Sequence, residues 1–154
     1  GHMTISVETK NKRLSKYDIM DKLKHNLSII YALYPARLSQ THCCENKKLM
    51  WQSNQKYSPV YLKYNRVEIR LFSAIKNVEQ LKNRYDLLFK ILYYTFEKPV
   101  SYSVLLKKVT PNLKRLYRNH PNKTQKINRV LDLSKSFRMY LIDGKESENI
   151  EQYI

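Results

Sequence analysis

The sequence predicts an α+β fold, mainly helical, with about five helices around a small central antiparallel sheet. Three observations carry this expectation. Apolar residues recur at three- and four-residue spacing over much of the chain, which is the period of amphipathic helices. One stretch, Arg66 to Phe72, alternates instead, with Val67, Ile69 and Leu71 on one face and Arg66, Glu68 and Arg70 on the other. That is the pattern of a half-buried strand. Finally, the 154 residues include two glycines, too few for an all-β fold built on tight hairpins.

Taken in order, Gly1-His2-Met3 reads as the remnant of a cleaved expression tag, and residues 4–13 as a flexible basic arm. Residues 14–154 are expected to form a single compact domain; 42% hydrophobic residues suffice for a core at this length. Ser15, with Asp18 three residues on, reads as a helix cap, and Ile19, Leu23, Leu27, Ile30 and Tyr34 follow helical spacing until Pro35. Residues 36–46 read as a loop carrying His42, Cys43 and Cys44. Lys48 to Gln52 is a short, weak strand candidate. Tyr57 to Tyr64 is a second, which Pro59 confines to an edge or a bulge. Asn77 and Gln80 form another capping pair. Val78, Leu81, Tyr85, Leu88, Leu92 and Phe96 then predict a long helix that stops at Lys98-Pro99. Ser101 caps a short helix through Val109. Thr110-Pro111 starts another, with proline at the first helical position, where its missing N–H costs nothing. Asn119 to Pro121 breaks the chain. A last long helix runs from about Thr124 to Ile142, with Ile127, Val130, Ser134, Phe137 and Leu141 inward, and Asp143-Gly144 ends it.

Charge is the informative feature for function. The chain carries 29 Lys and Arg against 13 Asp and Glu, a net +16. The excess is concentrated. Residues 107–138 hold ten basic residues and one acid, Asp132, whereas residues 139–154 are net −3. A concentrated positive field attracts polyanions, and phosphate neutralisation gains further from counterion release. The candidate phosphate contacts are Lys107, Lys108, Lys114, Arg115, Arg118, Lys123, Lys126 and Arg129. Lys114 and Arg118 lie four apart on one short helix, with Arg115 beside them. Exposed tyrosines can stack on unpaired bases, and Tyr57, Tyr61, Tyr64 and Tyr117 are the candidates. Tyr31, Tyr34 and Tyr85 are instead read as facing the core.

The same residues argue against most catalytic chemistry. The glycine count excludes a Walker-type phosphate loop and a dinucleotide fingerprint. Paired carboxylates for two-metal or glycosidase work are absent from the strand region. Glu68 between Arg66 and Arg70 reads as a structural ion pair. Cys43 and Cys44 are adjacent, with no second pair to complete a zinc set or a disulfide framework, so no metal and no cofactor is expected, and a reducing, cytoplasmic setting is. No stretch reaches 18 apolar residues, so no membrane span is expected.

Arg115 and His120 have the Arg-x4-His spacing that resembles HEPN-type ribonucleases, although Leu116 stands where that pattern has a polar residue. The resemblance implies a metal-free ribonuclease with His120 as acid or base. A second likeness covers Lys56 to Val60 through Asn65 to Ala74 and then the helix from Asn77 to Leu92. This strand-then-helix pattern resembles phage amidoligase-like proteins, with Glu68 and Arg70 as the matching positions. The ligase carboxylates are not recognisable, so the likeness implies a phage or mobile-element source and no ligase activity. Small proteins of that source resemble anti-CRISPR inhibitors in general type. The expectation is therefore a non-enzymatic basic protein that grips nucleic acid, with RNA favoured, or a nucleoprotein complex such as a CRISPR effector. The alternatives are an anti-CRISPR-type inhibitor of an effector or its guide RNA, and a small ribonuclease.

Overall fold

The structure is a computed structural model that describes residues 1–8, 12–39, 59–63 and 65–143. It is α+β and mainly helical, with five α-helices and one three-stranded antiparallel sheet.

The strands are β1 (Met3–Ile5), β2 (Val60–Lys63) and β3 (Arg66–Ile69), in the order β1-β3-β2. The alternating segment at Arg66 is the central strand, flanked on both sides. Ile5 and Leu62 pair with Val67, while Met3 and Val60 pair with Ile69. These residues face the core, and Val67, Ile69 and Val60 are fully buried. Thr4, Glu68 and Tyr61 form the outer row. Pro59 immediately precedes β2, which is an edge strand, so its missing N–H breaks no ladder; its carbonyl accepts from Arg70 N at 2.9 Å.

The reading of residues 4–13 as a flexible arm is corrected where it begins. Thr4 and Ile5 belong to β1, and Leu14 N donates to Val7 O at 2.8 Å. Met3, Ile5 and Val7 alternate with exposed Thr4 and Ser6, so one side of the segment is drawn onto the core. Met3, read as part of a tag remnant, is the first residue of that strand.

The helices are α1 (Lys16–Leu23), α2 (Ser28–Leu33), α3 (Val78–Leu92), α4 (Tyr102–Leu116) and α5 (Lys123–Asp143). Three caps fall where the sequence puts them. Ser15 accepts from Asp18 N at 3.1 Å, Asn77 from Gln80 N at 2.9 Å, and Ser101 from Val104 N at 3.4 Å. Two boundaries differ. The single helix expected between Ser15 and Pro35 is two, separated by Lys24 to Leu27. There Asn26 turns its amide to Thr95 Oγ1 at 2.9 Å, a bond to a distant part of the chain. Conversely, the two short helices expected around Thr110 are one. Pro111 lies inside α4 on its exposed side, where the lost hydrogen bond faces water. Thr110 Oγ1 donates to Leu106 O at 2.7 Å and Lys90 Nζ to Lys108 O at 3.1 Å, which supplies donors to carbonyls near the proline.

Helix α2 packs on α5, α3 on α4, and α1 on β3. The core joins these layers, with Tyr31 against Phe137 and Tyr34 against Phe72, each pair at 5.7 Å between ring centroids. Beyond Leu92 the backbone widens into one π-helical turn, Tyr93–Glu97, in which Thr95 Oγ1 donates to Ile91 O at 2.6 Å.

The face that α3 buries is also corrected. Leu87, Leu88 and Ile91 are inward, with Arg84, and Leu92 and Phe96 are half-buried. Val78, Leu81 and Tyr85 of the expected repeat are exposed, by 81%, 44% and 58%. This helix carries two apolar stripes, and the core takes the second.

Candidate nucleic-acid interface

The short connection between α4 and α5, residues 117–122, stands beside the first turn of α3. Between them lies a cleft of about 450 Å³. Arg115, Arg118 and His120 contribute from the α4 side, and Lys76, Asn77 and Asn83 from the α3 side. Local chemistry builds each wall. Asn77 caps α3 and so fixes the direction of its N-terminal dipole, whose positive end lies at the cleft. His120 N donates to Tyr117 O at 3.0 Å, closing a turn that presents the imidazole. Tyr117 forms the floor of that turn. Its ring meets His120 edge-on at 6.2 Å, and Lys126 Nζ lies 5.8 Å from its centroid. Burial pushes the Tyr117 phenol well above its usual value.

One carboxylate enters the cleft. Glu79 Oε1 accepts from Arg118 Nη2 at 2.7 Å, and both side chains are well exposed. This ion pair joins the two walls and partly neutralises a lining that is otherwise cationic and polar.

Of the eight predicted contacts, the structure brings Arg115 and Arg118 together in this cleft. Lys107, Lys108, Lys114, Lys123 and Arg129 are exposed on α4 and α5 outside its lining, and Lys126 is half-buried over Tyr117. Lys108 lies 5.7 Å from the Tyr94 ring. Lys90 of α3 joins this part of the surface. Burial lowers its pKa, and the cations of Arg115 and Lys108 lower it further. Lys135 and Arg138 belong elsewhere: Lys135 lies 3.9 Å from Asp132, and Arg138 stacks on Tyr102 at 4.5 Å.

Lys76, Asn83 and Lys90 are functional candidates that sequence reasoning does not single out. Each is an ordinary polar residue of a helix or its approach, and only the packing of α3 against α4 brings it to the basic segment. A second cationic concavity, of about 480 Å³, lies on the outer face of the sheet, where Arg13, Lys63 and Arg66 surround Glu68 and Thr4. Its signal was in the register: Lys63 pairs with Arg66 at the end of the β2–β3 hairpin.

Tyr57, Tyr64 and the His42-Cys43-Cys44 segment lie outside the described residues. Tyr61 is half-buried, and Tyr31 is fully buried. Tyr85, read as inward, is exposed and stacked on Phe89 at 6.3 Å. Glu68 and Arg70 form an ion pair at 3.0 Å, the structural pairing that the alternating row suggested. Among the described residues no cluster of His, Cys, Asp and Glu is placed to hold a metal ion, and no helix is long and apolar enough to cross a membrane.

His120 Nδ1 accepts the Asn122 backbone N–H at 3.1 Å. In the neutral ring this leaves the proton on Nε2, so the free edge of the imidazole is a hydrogen-bond donor. A donor beside Arg115 and Arg118 suits an anion. No protein-family model, curated protein or solved structure matches the chain.

Proposed function

We propose that the protein is a non-enzymatic binder of nucleic acid, RNA in the first instance, or of a nucleoprotein complex, and that it acts through phosphate contacts. The observation that carries this reading is the cleft between α3 and the α4–α5 turn. There Lys76, Arg115, Arg118 and the donor edge of His120 converge from two parts of the chain on a space of about 450 Å³. The exposed lysines and arginines of α4 and α5 extend the positive surface beyond it. Cations of this kind position a backbone and do not read bases. The reading therefore expects strong salt dependence and weak sequence preference. The Nε2–H edge left by the Asn122 contact to His120 Nδ1 suits a phosphate oxygen.

The test is a titration of nuclease-treated protein, purified at high salt, against labelled single- and double-stranded RNA and DNA at several salt concentrations. Submicromolar binding with a steep salt slope is expected. Neutralising Lys114, Arg115 and Arg118 together should weaken binding and flatten the slope by about two to three contacts' worth. Weak, uniform binding that vanishes near physiological salt would defeat the free-nucleic-acid reading and turn the search to a protein or nucleoprotein target such as a CRISPR effector. RNA that is cut by the wild type and left intact by His120→Ala would instead establish the ribonuclease.

A further inference from the structure

Helix α3 exposes a continuous apolar row. Val78, Leu81, Tyr85 and Phe89 follow one another at three- and four-residue intervals, with Tyr93 beyond them, and Phe89 is 57% exposed. At that spacing they lie on one side of the helix. Isolated exposed apolar residues are normal, but a contiguous row marks an interaction surface. Tyr85 and Phe89 are already stacked on each other, so the row presents rigid aromatic area.

The charges beside this row say what covers it. On a chain of net +16, the flank of α3 beside this row carries Lys82 and Asp86, one base and one acid, while Glu79 is paired with Arg118 and Lys90 donates to Lys108 O. The row itself offers a nucleic-acid backbone no cation to neutralise its phosphates. A second copy of a strongly basic chain is repelled almost everywhere else, but it meets no net charge here. The order of residues is also self-complementary. If a second α3 lies antiparallel across the first, about a two-fold axis near Asn83 and Arg84, Val78 faces Phe89 of the other copy and Leu81 faces Tyr85. In the same register Lys82 faces Asp86, twice over. These matches agree to within about one and a half residues, or about 2 Å of helix rise. A two-fold axis of this kind brings like flanks together, so the charged flank of one helix meets the charged flank of the other. We infer that the exposed face of α3 is the interface of a symmetric homodimer, held by Val78, Leu81, Tyr85 and Phe89 and registered by Lys82–Asp86 pairs between copies. This inference does not depend on the nucleic-acid reading.

Sedimentation velocity on nuclease-treated protein at moderate salt tests it, across a hundredfold range of concentration. Dimer is expected to appear as concentration rises. K82E and D86K each place like charges in opposition, so each alone should weaken dimerisation severalfold or more. Mixed in equal amounts, the two variants should recover dimer, because each substituted position then meets an opposite charge across the axis. Leu81→Ser with Phe89→Ser should give monomer with an unchanged circular dichroism spectrum, since both side chains are exposed. Monomer at every concentration would overturn the proposal and leave the row to another protein or to a segment outside the described residues. Dimer that is indifferent to K82E and D86K, singly and mixed, would overturn this interface. Neither result bears on RNA affinity, which is read separately.

Discussion

Arg118 Nη2 donates to Glu79 Oε1 at 2.7 Å, so the end of α4 is tied to the first turn of α3 across the cleft by an ion pair that a phosphate would compete for. An exposed pair of this kind contributes roughly 0.2–1 kcal/mol. Its loss should cost the fold little and release a cation to the ligand. Glu79→Gln is therefore expected to raise RNA affinity by up to about fivefold at low salt, with a steeper salt slope and an unchanged melting temperature. Lower affinity in Glu79→Gln would mean that the carboxylate holds Arg118 in its binding position.

A buried cation holds the other wall. Arg84 is 7% exposed. Its Nη1 donates to Ser73 O at 2.6 Å, and its Nη2 to Ser73 Oγ at 2.9 Å and Ala74 O at 3.4 Å. The guanidinium also lies 5.4 Å from the Tyr34 ring. It thus fixes the segment between β3 and α3 that delivers Lys76 and Asn77 to the cleft. Hydrogen bonds from a charged donor contribute more than neutral ones, and the stranded carbonyls add a penalty. Arg84→Met should cost about 2–4 kcal/mol by urea denaturation and weaken RNA binding as well. Arg84→Lys should recover only part, since an ammonium cannot reproduce the fork.

Asn112 is an opposite case. It is 1% exposed in α4, and neither its amide nitrogen nor its oxygen has a hydrogen-bond partner among the described residues. A buried polar group without a partner costs roughly 1–3 kcal/mol, and alanine is the better helix former. Asn112→Ala loses some packing in return. A net gain of about 1 kcal/mol is expected, seen as a higher denaturation midpoint. A clear loss would show that a buried water satisfies the amide.

What the sequence discloses follows from how local each cause is. The caps at Ser15, Asn77 and Ser101 depend on residues three apart, and all three were legible. The central strand was legible because Val67 and Ile69 alternate with charge. The break at residues 24–27 was not, because Asn26 bonds to Thr95, 69 positions away. Nor was the rotation of α3, since two apolar stripes satisfy the same period and only the packing of Leu87, Leu88 and Ile91 decides between them. Strand β1 carried its signal in Met3, Ile5 and Val7, and the basic residues that follow masked it. At the site, charge density pointed to Arg115 and Arg118. Lys76 and Asn83 came from the tertiary fold, and no local pattern marks them.

Tyr102 links α2, α4 and α5 and sets an alkaline limit on stability. Its hydroxyl lies 2.7 Å from Ser28 Oγ, and Arg138 stacks on its ring at 4.5 Å. Burial raises its pKa to about 12, against the smaller opposing effects of Ser28, Arg138 and Ser134. The folded phenol thus keeps its proton where an unfolded one, near pH 10, has lost it. Its contribution is fully present below pH 10 and is lost as pH rises towards 12. A shift of that size corresponds to roughly 2–3 kcal/mol over the window. Burial also raises Tyr34 and Tyr117, which act in the same direction. Urea denaturation at pH 9 and pH 11 should show the loss, and Tyr102→Phe should fall less steeply between the two, because phenylalanine has no proton to lose. An equal fall in both proteins would place the alkaline sensitivity in other groups, Tyr34 and Tyr117 first among them.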